Sequence, residues 1–228
     1  MRRPPDSLNA PGNAGIALIL LAAGASTRLG KPKQLLVFRG HSLLRHAAET
    51  ALESVCRPVV VVLGAFADRL QTEWTALPVT VALNRAWAEG MGKSIRAGLK
   101  EVLSNTATPE AVVIMLCDQP LITARMLDQL VSVHRSTGMG IVASEYKGTL
   151  GAPALFARRY YPELAALEGD HGARKIIVNH EDDLARITLL EAAFDVDRVE
   201  EAACLESSGS HSFWRCLNAD GRSRTDLG

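Results

Sequence analysis

The chain has 228 residues, 47 % of them hydrophobic, and its 25 Lys+Arg balance 25 Asp+Glu, so its formal net charge is zero. That balance argues against a broad nucleic-acid surface while leaving room for a local cationic pocket, and the length suits one α/β core. The longest apolar run, about residues 16–23, is far too short to cross a bilayer.

Taken in chain order, residues 1–15 carry Arg2 and Arg3 but also Pro4, Pro5, Asp6 and Pro11, and no apolar core. They read as a flexible leader, not a signal peptide. Buried-strand runs are expected at 17–21, 58–63, 79–83, 111–116 and 140–143. Helices fall between most of them. Leu43, Leu44, Ala47, Ala48, Ala51 and Leu52 form one apolar face, and Ile95, Leu99, Val102 and Leu103 another. A third helix begins after Thr123, a plausible N-cap. Alternating strands and helices predict a Rossmann-like, three-layer αβα fold around a mostly parallel sheet with right-handed crossovers.

After residue 145 the rhythm changes. Gly148, Gly151 and Pro153 break the alternation, residues 158–167 and 172–179 read as short helices, and 185–190 as a strand. The reading is one domain over 16–206, with its nucleotide-facing side at about 16–144 and its acceptor-facing side at about 145–206. Residues 207–228 are Ser/Gly/Arg-rich and aperiodic, and disorder is expected there. Cys56, Cys117, Cys204 and Cys216 lack metal-type spacing, which points to reduced thiols in a cytoplasmic protein.

The first strand runs into Gly24, a polar loop with Arg28, then Gly30, Lys31 and Lys33. Small residues at a strand's carboxyl end let the backbone approach a phosphate, and the three cations neutralise it. A P-loop needs four residues before its Gly-Lys pair, whereas five separate Gly24 from Gly30, and Pro32 follows Lys31. Gly92-Lys93-Ser94 has Trp87 where the first glycine of a P-loop belongs, and no Gly-x-Gly-x-x-Gly fingerprint occurs in the Gly24–Gly30 loop. Cys117-Asp118-Gln119-Pro120 ends the fourth strand. There Asp118 either binds a metal facing the triphosphate or caps the following turn.

These residues resemble the nucleotidyltransferase signature, with Gly24, Ser26, Arg28, Gly30 and Lys33 matching. The Leu21-Ala22-Ala23-Gly24 opening and the Lys33-Gln34-Leu35-Leu36 ending are closest to the molybdenum cofactor cytidylyltransferase branch. The resemblance implies that this loop holds the triphosphate, that Arg28, Lys33 and Asp118 act in catalysis, and that Mg²⁺ sits on Asp118. Asp197 in Asp195-Val196-Asp197 aligns with a second metal ligand, with Asp195 as the alternative; both also fit a helix cap. Gly92 and Ser94 are implied in nucleotide contact. Asp170 and Arg174 are implied on the acceptor side, where Arg174 either pairs with a pterin phosphate or faces solvent. The implied reaction transfers CMP from CTP to the phosphate of the molybdenum-pterin cofactor. Its implied partners are those two substrates and a molybdoenzyme or its maturation factor, with no nucleic acid and no membrane. The alternatives are a guanylyltransferase, a cytidylyltransferase acting on a sugar or polyol phosphate, a non-catalytic maturation factor and a redox enzyme.

Overall fold

The computed structural model describes residues 15–27, 29–104, 107–169, 172–197 and 201. Arg28, Asp170, His171, Cys204, Cys216, the leader through residue 14 and the tail 207–228 lie outside the described residues. In chain order the elements are β1 (Ile16–Ala22), β2 (Val37–Phe38), β3 (His41–Ser42), α1 (Leu43–Glu53), β4 (Val59–Leu63), α2 (Gln71–Trp74) and β5 (Thr80–Leu83). Then follow α3 (Met91–Leu103), β6 (Ala111–Leu116), α4 (Ala124–Thr137), β7 (Ile141–Tyr146), β8 (Thr149–Ala157), α5 (Tyr161–Ala165), α6 (Arg174–Asn179) and β9 (Leu184–Thr188).

Seven strands form one sheet in the order β5-β4-β1-β6-β8-β7-β9. β1 pairs in parallel with both β4 and β6, and β7 in parallel with β9. β8 alone runs against its neighbours, antiparallel to β6 and β7. All seven residues of β1 are buried because helices cover both faces, as its unbroken apolar run requires. Alternate residues feed two cores. Leu18, Leu20, Val61 and Val113 pack with α1 and α4, while Ile19, Val60, Val62 and Ile114 pack with α3, α5 and α6. Each such aliphatic side chain contributes about 1.5–3 kcal/mol relative to exposure. α3 lies close against the sheet because Gly98 has no Cβ. One built there would fall 2.5 Å from Ile19 Cγ2 and 2.8 Å from Val62 Cγ2.

The chain builds β4 and β5 on one side of β1, then crosses to place β6 on the other. That reversal opens a crevice at the carboxyl ends of β1 and β6, where open α/β sheets receive ligands. Thr123 stands at the N-cap of α4 in extended geometry, but its hydroxyl makes no capping bond. The strand–helix alternation breaks around residues 148–153 as expected, because β7 is followed directly by β8, the longest strand of the sheet. Its Gly151 and Pro153 are tolerated because the β7–β8 register shifts between Ala143 and Ser144, passing from Ala154 to Gly151. Pro153, which has no N–H to donate, thus falls in the interruption of the ladder. Ser144 Oγ donates to its carbonyl at 2.5 Å.

His46 on α1 ties this framework to the crevice. Its ring packs edge-on to Phe38 with centroids 5.0 Å apart, and Nε2 donates to the Pro120 carbonyl at 3.0 Å. Burial pushes its pKa below the ordinary 6.5. The Pro120 hydrogen bond opposes this, and nearby Arg39, Glu49 and His41 act in mixed directions. A base whose folded pKa is depressed stays neutral while the unfolded chain takes up a proton. His46 therefore stabilises the fold above about pH 6.5, and that contribution is lost as pH falls toward its folded pKa. Urea unfolding from pH 7.5 down to 5 should show falling stability, and the His46→Gln variant a shallower fall over the same window. An identical slope in both proteins would contradict the assignment.

Candidate active site

The crevice holds a cavity of about 590 Å³. Leu21, Ala22, Ala23 and Gly24 at the end of β1 form one wall, with Lys33 and Gln34 beside them. Trp87, Gly90, Met91 and Ser94 at the start of α3 form a second wall, and Leu116, Cys117 and Asp118 at the end of β6 a third. β6 is held in step with β1 because Cys117 N donates to the Leu21 carbonyl at 3.1 Å. Cys117 is a buried, free thiol, and burial drives its pKa upward, so it serves as an apolar wall and not as a nucleophile. A second cavity, of about 630 Å³, follows the Lys93, Arg96 and Lys100 face of α3, apart from Asp118 and the Gly24–Lys33 loop.

Lys33 lies at the centre of the crevice. Its Nζ donates to Asp118 Oδ2 and, at 2.8 Å, to Asp197 Oδ1. Burial alone would lower the ammonium pKa, but Asp118 and then Asp197 outweigh it and hold the pKa above its ordinary value. Asp118 Oδ1 is buried with no hydrogen-bond partner. The segment after β9 reaches this point through a backbone bond from Val196 N to the Asp118 carbonyl at 3.0 Å. Burial raises the Asp195 pKa, and repulsion from Asp118 and Asp197 adds to it.

The structure thus brings together Leu21, Ala22, Ala23, Gly24, Lys33, Ser94, Asp118 and Asp197. Ser94 lines the cavity while its hydroxyl accepts from Asn84 Nδ2 at 2.9 Å, so Asn84 acts by holding that serine. Two further residues of the expected set have structural contacts of their own. Gly92 lies in the first turn of α3, but a Cβ there would meet the backbone of Leu167 and Glu168 at about 3.1 Å. It lets the loop after α5 approach, while Gly90 and Met91 face the cavity in its place. Ser26, at φ 51°, turns inward to organise the loop: its Oγ accepts from Lys33 N at 3.0 Å and lies 3.4 Å from Gln34 Oε1. Arg174 opens α6 as an exposed side chain. It lies within electrostatic reach of Tyr146.

Sequence reasoning assigned no role to Gln34. Only 1 % exposed, it sends Nε2 to the Ala22 carbonyl at 3.0 Å and the Gly24 carbonyl at 2.8 Å. It therefore ties the loop back onto the strand end and keeps Lys33 in place. The signal available was a neutral amide directly after the signature lysine.

The sheet order and the ligand crevice define an α/β nucleotidyltransferase fold. The model for the MobA-like NTP transferase domain matches residues 18–184, and the chain belongs to that family. Nicotine blue oxidoreductase from Paenarthrobacter nicotinovorans is 35 % identical over 166 residues, spanning 68 % of this chain and 78 % of that protein. Purine catabolism protein PucB from Bacillus subtilis is 28 % identical over 168 residues, spanning 70 % and 78 %. The crystal structure of Rv0371c from Mycobacterium tuberculosis superposes with a TM-score of 0.74 at 26 % identity, covering 86 % of this chain and 99 % of that one. The same mycobacterial protein has also been solved in complex with manganese, with a TM-score of 0.70 at 25 % identity over 85 % and 100 % of the two chains.

Replacing Gln34 with Ala should destabilise the protein by about 1–3 kcal/mol, the cost of losing its bonds to the buried Ala22 carbonyl and the part-buried Gly24 carbonyl. It should also weaken nucleoside triphosphate binding, because the loop loses its tie. Denaturant unfolding and calorimetric titration of the purified variant measure the two effects; an unchanged unfolding midpoint would remove Gln34 from this role.

Proposed function

We propose that the protein transfers CMP from CTP to the terminal phosphate of the molybdenum-pterin cofactor, forming the cytosine dinucleotide form and releasing pyrophosphate. The observation that carries this reading is the Lys33 ammonium set between Asp118 and Asp197 at the crevice lined by Leu21–Gly24. A nucleotide triphosphate needs cationic charge along its phosphates and small residues under them, and Lys33 with Ala22, Ala23 and Gly24 supply these in the crevice. The family membership supports the class of reaction, and the Ala22-Ala23-Gly24 form supports cytidine by resemblance.

The buried, unpartnered Asp118 Oδ1 is a hard anionic oxygen of the kind Mg²⁺ prefers, so the donor set fits a divalent cation. Asp118 and Asp197 would hold it, and when bound it offsets negative charge on the triphosphate. The manganese complex of the mycobacterial neighbour is consistent with such a site. Lys33, with Arg28 from the same loop, neutralises the phosphates and the departing pyrophosphate. The acceptor phosphate is ionised at pH 7, so its oxygen attacks the α-phosphorus without a general base. The P–O bond to the β-phosphate breaks, and pyrophosphate carries away the electron pair.

Pyrophosphate release measured with each of the four nucleoside triphosphates and the molybdenum-pterin acceptor tests the reading. CTP should be preferred, and faster turnover with GTP would move the protein to guanylyl transfer. Because one relative bears an oxidoreductase name, the same samples should be followed for oxidation of reduced nicotinamide. Turnover there without pyrophosphate would overturn the proposal.

Asp118→Asn should lower the transfer rate about a hundred- to a thousandfold while leaving the unfolding midpoint near that of the parent. Arg28→Ala and Lys33→Ala should each impair triphosphate binding more than Lys31→Ala. Parent rates in the Asp118 variant, or equal and small effects from all three cations, would dismantle the site.

A further inference from the structure

Among the described residues, the buried side-chain polar atoms without a hydrogen-bond partner belong to Trp74, Asp118, Gln119 and Thr149. Leaving such an atom unpaired costs about 1–3 kcal/mol, so each calls for a physical reason, a bound group among them. Asp118 and Gln119 adjoin in sequence, and Thr149 pairs across the β7–β8 hairpin with Tyr146. Tyr146 in turn lies beside Gln119, with Asp195, Arg174 and Asp118 in electrostatic reach. Three of these four groups, those of Asp118, Gln119 and Thr149, therefore lie around one half-buried phenol that the nucleotide crevice does not use, while Trp74 lies apart on α2.

The position of that phenol is built in. A Cβ on Gly151 would fall 2.5 Å from Tyr146 Oη, so the missing side chain is what makes room for the hydroxyl. The next residue, Ala152, is fixed by Gln119, whose Nε2 donates to the Ala152 carbonyl at 3.1 Å and to the Ala192 carbonyl at 2.9 Å. Burial raises the phenol pKa; Gln119 and Arg174 pull it down, while Asp195 and Asp118 push it up, and the balance is upward. The group therefore remains a neutral O–H donor at physiological pH. Beside two carboxylates, an anionic phosphate needs donors that carry no negative charge, and this hydroxyl and the Arg174 guanidinium are such donors.

We propose that Tyr146 binds the acceptor phosphate, its hydroxyl donating to a phosphate oxygen alongside Arg174, and that Gly151 is the positioning residue for that hydroxyl. This assignment rests on the transfer reaction proposed above. It adds a contact that neither the signature loop nor Asp118 provides.

The test is steady-state pyrophosphate release at saturating CTP with varied molybdenum-pterin acceptor, and the reverse titration. Tyr146→Phe should raise the acceptor KM on the order of tenfold, the usual effect of removing one hydrogen bond to a charged group. The CTP KM should stay within about twofold. Gly151→Ala keeps the hydroxyl but pushes it aside, and should shift the acceptor KM in the same direction. In the Tyr146→Phe background Gly151→Ala should add little, because both act through one atom. An unchanged acceptor KM in Tyr146→Phe, or equal shifts in both titrations, overturns the assignment while leaving the transfer reading intact. If the parent protein releases no pyrophosphate with any triphosphate and this acceptor, both fall together.

Discussion

The crevice at the carboxyl ends of β1 and β6 is organised around a single ammonium group. Lys33 reaches from the loop after β1 to Asp118 at the end of β6 and to Asp197 after β9, joining segments 85 and 164 residues away. Two carboxylates facing each other in a half-buried site repel, and desolvation raises the cost of each charge. The lysine removes both penalties at once. An ammonium has three N–H donors, and the two carboxylates take two of them, so the group is equipped to meet a phosphate without releasing its anchors. Gln34 and Ser26 matter because they fix the backbone from which this side chain extends.

The surrounding sheet divides the labour by strand direction. β4, β1 and β6 run in parallel and present their carboxyl ends together, which gathers the loops and Asp118 on one rim. β7 runs with β6 and ends at Tyr146, and β8 returns antiparallel from Thr149, so their hairpin brings both residues to the same rim. Gln119 joins the two parts by holding the β8 backbone from a position next to Asp118.

Much of this was legible in the sequence for a definite reason. Strands buried on both faces read as unbroken apolar runs, which is why β1, β4 and β6 stand out, and the polar residues ending them mark the ligand rim. Pattern alone hid β8, because Gly151 and Pro153 are strand breakers until a register shift is known to receive them. Gln34 and Tyr146 were silent for another reason: a polar side chain in a loop or at a strand end carries no periodicity, and its partners lie far along the chain. Gly92 shows a further ambiguity. A glycine at a helix start reads equally as a place for a ligand or for another backbone, and at Gly92 the backbone of residues 167 and 168 comes close.

The central position of β1 has a consequence for biosynthesis. Its first partner, β4, follows within the same stretch of chain, but its other neighbour, β6, begins only at Ala111. At ribosomal rates of about 5–20 residues per second, the fifty or so residues between Leu63 and Ala111 take several seconds to emerge. For that interval this wholly buried, apolar strand has one hydrogen-bonding edge unpaired. Such an edge is a template for association with other chains, so the strand that later carries the signature loop is exposed to mispairing while the chain is still being made.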